Sequence, residues 1–95
     1  MRIELSEYVE GDIQQIADYV AQDSQESALH LVEEIYDAIL RIGRNPLHYQ
    51  VRVEIADDAR LAVVGRYVIL FRIIERCVRI ERVVFGGRDL PALLT

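Results

Sequence analysis

Residues 60–88, RLAVVGRYVILFRIIERCVRIERVVFGGR, are the stretch from which the architecture can be read. Tyr67, Ile69, Phe71 and Ile73 alternate with Val68, Leu70, Arg72 and Ile74, the period-two pattern of a pleated strand. β-branched and aromatic residues dominate, and their shapes suit a half-buried sheet surface. Val64-Gly65-Arg66 reads as a hairpin turn, because Gly accepts the positive φ that primed turns demand. Glu75-Arg76 reads as a second, charged connection. Val78, Ile80 and Val84 resume the alternation beyond it, and Gly86-Gly87 ends the strand. The C-terminal half is therefore expected to be an antiparallel meander, whose apolar face the rest of the chain must cover.

The N-terminal half supplies that cover. Arg2-Ile3-Glu4-Leu5 alternates and reads as a short first strand. Ser6 is a good N-cap, with Glu7 and Glu10 placed to meet the helix dipole. Val9, Ile13, Ile16, Ala17 and Val20 recur at helical spacing, which predicts a helix from about Glu7 to Gln22. Gly11 inside it costs about 1 kcal/mol relative to Ala. A second helix is expected behind Asp23 as cap, with Glu26 at capping-box spacing. Its stripe is Ala28, Leu31, Val32, Ile35, Ile39 and Ile42; Gly43 fits a C′ position, and Pro46 blocks continuation. So short a link makes the two helices an antiparallel hairpin. Leu47 to Asp58 is a connector, in which Val51, Val53 and Ile55 alternate as a short edge strand would. The expected fold is α+β, in the order β-α-α-β-β-β, with a helical hairpin packed on one face of a small, mainly antiparallel sheet. Residues 1–95 are expected to form a single domain.

Composition narrows the function classes. A chain of 95 residues with 52% hydrophobic residues is expected to fold around one core. No apolar run approaches the length of a membrane span, and MRIELSEYVEG is too acidic for a signal peptide. Cys77, the sole cysteine, fits a reducing compartment, so a cytoplasmic location is expected. Residues 1–40 carry one Arg against ten acids, whereas residues 41–95 carry ten Arg against six acids. The net charge is −5, and there is no lysine. An acidic helical layer is thus set against an arginine-bearing sheet, and a net acidic chain is a poor non-specific ligand for nucleic acid. Arginine without lysine has two readings: compositional bias, or use of the guanidinium fork for carboxylates and phosphates.

Catalytic signatures are few. His30 and His48 stand 18 residues apart without a second ligand at metal spacing, so no metal and no cofactor is expected. Cys77 reads as a small half-buried hydrophobe, and Ser6, Ser24 and Ser27 belong to helix starts. Glu33-Glu34 reads as a solvated helix face. Gly86-Gly87 follows a strand but lacks the Lys-Ser/Thr and long helix of a phosphate loop. What remains are arginines. By alternation Arg66 and Arg72 share a face of one strand, and Arg79 on the next is expected beside them, opposite the helices. They read either as ordinary solvent-facing charges or as a surface that grips the carboxylates of another polypeptide. Tyr8, Tyr19 and Tyr36 are expected to pack in the core with hydroxyls at the rim, and the hairpin they border offers a second contact surface.

The ordered set of segments resembles the ParE branch of the RelE/ParE superfamily of bacterial type II toxins. The residues that carry the likeness start with Leu5-Ser6, Asp12-Ile13-x-x-Ile16-x-x-Tyr19-Val20, and Ala28, Ile35, Ile39 and Asn45-Pro46. They continue with Arg60, Val64 through Arg72, Ile80 to Val84, and Gly86-Gly87-Arg88-Asp89-Leu90. The likeness implies the fold above, a ParD-like antitoxin partner in a hetero-oligomer, DNA gyrase as target and no enzymatic activity. On the arginine surface and the helical hairpin read above, target or antitoxin contacts are expected at Arg60, Arg66, Arg72, Arg79 and Arg88, and antitoxin contacts at Tyr19 and Tyr36. The related RelE branch cuts messenger RNA in the ribosome with basic residues and a tyrosine. Its arginine after the last strand is present as Arg88. Its strand arginine falls at Val68 and its C-terminal tyrosine near Leu94, in a lysine-free chain. The comparison therefore favours a gyrase inhibitor, with a ribosome-dependent endoribonuclease and an inactive antitoxin-binding module as the alternatives.

Overall fold

The computed structural model describes residues 1–94, in which six main elements follow in the expected order. They are β1 (Arg2–Leu5), α1 (Val9–Ala21), α2 (Gln25–Arg44), β2 (Arg60–Val64), β3 (Tyr67–Ile74) and β4 (Cys77–Phe85). Short 3-10 turns cover Pro46–His48 and Pro91–Leu94. The sheet order is β1-β4-β3-β2; β1 runs parallel to β4, and the other pairs are antiparallel. A parallel pair needs a crossover, and the helical hairpin lies within it. Both two-residue hairpin turns form where read. Gly65 takes φ +58° in the first, and Glu75 and Arg76 take φ 49° and 63° in the second. Two consecutive left-handed residues match a type I′ turn without its usual Asn-Gly, so strand pairing imposes the shape here.

One face of the sheet packs on the helices. Ala62, Val64, Ile69, Phe71, Val78, Ile80 and Val83 meet Val9, Ile13 and Ile16 of α1 and Ile35, Ala38, Ile39 and Ile42 of α2. Phe71 is fully buried, with the Tyr49 ring edge-on at 5.5 Å. The far face is not the open arginine surface that alternation suggested. Val68, Leu70 and Val84 form a second core with Ile55 and Ala59, closed by Leu61, Leu90, Leu93 and Leu94. Val68, Ile69, Leu70 and Phe71 are buried in succession, as a central strand covered on both sides requires.

A bulge explains a second departure. Leu70 pairs with Arg82 but Phe71 with Ile80, which leaves Glu81 as the extra residue. One inserted residue inverts the faces beyond it. Val83, not Val84, therefore continues the helix-facing row of Val78 and Ile80.

The helix ends also differ from expectation. α1 starts at Val9 behind Tyr8, without a side-chain cap. Ser6 is buried instead: its hydroxyl donates to the Glu81 carbonyl at 2.5 Å and accepts from Tyr8 N at 3.2 Å, which ties the helix entry to the bulge. α2 is capped by Ser24, whose Oγ accepts from Ser27 N at 3.1 Å, and not by Asp23. Gly43 lies within α2 and not beyond its end, and a Cβ there would collide with Ile3 Cδ1. The anticipated edge strand over 51–55 shrinks to a single bridge, Val51 with Arg60; Arg52 N then bonds Ala59 O at 2.7 Å and closes the segment into a loop. No helix among the described residues is long and apolar enough to cross a membrane.

Candidate functional site

The arginines divide by what they touch. Arg72 and Arg79 are cross-strand partners on the far face, and Glu81 lies between them. Arg72 reaches Glu81 at 3.5 Å and Asp58 at 3.2 Å, and Arg79 reaches Glu81 at 2.9 Å and Glu4 at 3.4 Å. Their charges are thus neutralised within the chain. Arg60 stands at the start of β2 opposite Phe71, a helix-facing position, and donates to the Tyr49 carbonyl. Arg2 pairs with Glu4, and Arg52 with Glu54, whose carboxyl it holds below its ordinary pKa by hydrogen bonding.

Arg82 makes the best-built pair. Its Nε and Nη2 bond both oxygens of Asp12 at 2.9 and 2.8 Å, and Val83 N donates to the same carboxylate at 3.0 Å. Asp12 is only 8% exposed, and the Arg82 guanidinium lies 4.7 Å from the centroid of the Tyr8 ring. The Asp12 hydrogen bond pushes the pKa of Arg82 above its ordinary value. This pair fastens α1 to β4 and was not read from the sequence. The available signal was Asp12 itself, a carboxylate set between Val9 and Ile16 on the apolar side of α1.

Beside that clip lies an open groove of about 420 Å³. Gln15, Ile16 and Tyr19 of α1 line one wall; Tyr67, Val83 and Phe85 line the sheet side. Arg66 and Arg88 enter from the turns. The local chain builds this end of the sheet tightly. Gly86 N donates to Arg66 O at 2.9 Å, and Arg88 N to Phe85 O at 3.1 Å, which folds the chain back beside the groove. A Cβ on Gly86 would approach Arg66 O to 3.3 Å, and one on Gly87 would lie 2.5 Å from Phe85 Cε2. Phe85 in turn meets Tyr67 edge-on at 6.3 Å.

Of the residues singled out by sequence, the structure brings Arg66, Arg88 and Tyr19 together here. It does not join them to Arg72 and Arg79, which face away, or to Arg60. Tyr36 stands on α2, outside this groove. Tyr19 is 69% exposed, Tyr8 53% and Tyr36 40%, so none of the three is the core residue expected; Tyr49 and Tyr67 pack against the core instead. Two guanidiniums over an apolar floor can hold an anionic, partly apolar polypeptide segment.

Among curated proteins none matches. A solved structure described as the chromosomal ParDE TA system from P. aeruginosa superposes with a TM-score of 0.78 at 19% identity. That alignment covers 90% of this chain and 95% of the other, and shows that the two share a fold. The family model described as the ParE toxin of the type II toxin-antitoxin system, parDE, matches residues 3–90. The chain belongs to the ParE toxins of type II toxin–antitoxin systems.

Proposed function

We propose that this toxin acts by binding and not by cutting: it occupies a surface of bacterial DNA gyrase so that cleaved DNA is not resealed, and a ParD-like antitoxin neutralises it in the cytoplasm. The observation that carries this reading concerns Val68 and Leu94. By the resemblance, Val68 stands where the nuclease branch carries a strand arginine and Leu94 near its C-terminal tyrosine, and here both pack into the far-face core. A nuclease must stabilise charge on a transferring phosphoryl group, and two apolar side chains in a packed cluster contribute nothing to that.

The antitoxin is assigned to the outer surface of the helical hairpin. Leu29, Tyr36 and Leu40 stand exposed along α2, at spacings of seven and four that place them on one side of the helix, and Tyr19 is exposed on α1. The test uses purified toxin with gyrase and supercoiled plasmid, in parallel with a translating extract. Accumulation of cleaved plasmid with intact messenger RNA is expected. Cleaved messenger RNA with gyrase unaffected would establish the endoribonuclease, and no effect in either assay would leave only a binding module.

A further inference from the structure

We propose that two segments outside the strands and α-helices, residues 52–59 and 88–94, form a lid over the far face of the sheet, and that this lid opens as one unit about a pin at Arg72 while the sheet stays folded. A mainly antiparallel sheet with helices on one face commonly leaves its other face to water. Here that face is apolar: Val68, Leu70 and Val84 are no more than 7% exposed. Ile55 and Ala59 cover them from the first segment, and Leu90, Leu93 and Leu94 from the second. The backbone bonds of both segments are local. Arg52 N bonds Ala59 O at 2.7 Å, Ile55 N bonds Arg52 O at 2.9 Å, and Ala59 N bonds Ala56 O at 3.1 Å. In the tail, Arg88 N bonds Phe85 O at the strand end and Leu93 N bonds Leu90 O, both at 3.1 Å. Each segment can therefore swing as a body, the loop about its Arg52–Ala59 neck and the tail about Gly86. Chain held to a sheet by side chains and not by ladder bonds opens well below the free energy of global unfolding.

Arg72 joins the two segments. Its guanidinium reaches Asp58 of the loop at 3.2 Å, the Leu94 carbonyl of the tail at 3.4 Å and Glu81 of the sheet at 3.5 Å. All three are long for bonds from a charged donor. Its Nε is buried and makes no hydrogen bond among the described residues, the approach to Asp58 included. The closed lid thus keeps a charged N–H away from water without an acceptor, which favours opening, while the ion pairs and the leucines favour closure. That balance makes the lid a switch. Closed, the far face is covered by the chain itself; open, it offers the strip of Val68, Leu70 and Val84 beside the charged row of Arg72, Glu81, Arg79 and Glu4.

The test is native-state amide exchange on the folded, isotopically labelled full chain in low urea, read by NMR at Ile55, Ala59 and Leu93 against the amides of β3 and β4. One opening constant and one urea dependence are expected for the three lid amides, with protection at least about tenfold below that of the sheet. Asp58→Asn should speed exchange about two- to fivefold at Leu93, on the other segment, as well as at Ile55. Glu54→Gln, in the same loop but paired with Arg52, should leave Leu93 unchanged. A second measurement reads the face itself. In a Cys77→Ser background, the thiol introduced by Val84→Cys should react with dithiobis-nitrobenzoate in proportion to lid opening, while β4 amides stay protected. The exchange measurement on the unaltered chain decides the matter even where that thiol variant fails to fold. Lid amides as protected as those of the sheet, different urea dependences at Ile55 and Leu93, an Asp58→Asn effect confined to the loop, or a thiol that reacts only on global unfolding would each overturn the proposal.

Discussion

Replacing Asp12 by Ala tests whether one buried ion pair fastens the helical layer to the sheet. The substitution removes the acceptor for three hydrogen bonds, from Arg82 Nε, Arg82 Nη2 and Val83 N. It leaves the Arg82 guanidinium, its side chain 17% exposed, beside the Tyr8 ring and without its carboxylate. Breaking a buried pair from one side costs about 3–5 kcal/mol, and the Tyr8 contact with some solvent access sets the lower end, about 3 kcal/mol. A domain of this size has about 5–14 kcal/mol of stability, so the loss is a large share of the total. At about 4–8 °C per kcal/mol the melting temperature should fall by about 12–24 °C. Thermal and urea unfolding, followed by circular dichroism, measure this for Asp12→Ala, Arg82→Leu and the double variant. The double variant should be more stable than Asp12→Ala, because no charge is then stranded. The raised pKa of Arg82 adds a sign. Its contribution is complete below the ordinary arginine value and fades only as pH rises through the raised one, so it persists through neutral pH. A fall of less than about 4 °C for Asp12→Ala, or strictly additive single variants, refutes the reasoning.

Three further substitutions probe the backbone. Gly11→Ala should stabilise by about 1 kcal/mol in urea unfolding, because a Cβ there meets nothing within 4 Å and the helix gains propensity. Gly43→Ala should destabilise by about 1–3 kcal/mol, since its Cβ would fall 2.8 Å from Ile3 Cγ1 and closer still to Cδ1, forcing β1 off α2. Unchanged urea midpoints would mean that β1 is free to shift. Replacing Glu75-Arg76 by Asn-Gly should raise stability by about 1 kcal/mol or more, because both positions are left-handed. A lower melting temperature would show that those side chains make contacts worth more than the turn strain.

Much of this fold is written locally. Helical spacing in residues 9–20 and 28–42, period-two runs around Tyr67–Ile74 and Gly65 between them establish the order of elements and which helix faces are apolar. The charge asymmetry between the halves is equally a property of the sequence alone. These signals survive because they depend on neighbours a few residues apart. The candidate groove depends on contacts of another kind. Asp12 and Arg82 are 70 positions apart and Glu4 and Arg79 are 75 apart, so no periodicity announces them. The bulge at Glu81 exchanges the faces of Val83 and Val84, and burial of Val68 on the far face turns a two-sided strand into a central one. Alternation states on which side of its own backbone a residue stands; only the packed sheet decides what lies opposite. That is why sequence named Arg66, Arg72, Arg79 and Arg88 alike, while tertiary structure neutralises the middle pair and leaves the outer two facing a groove.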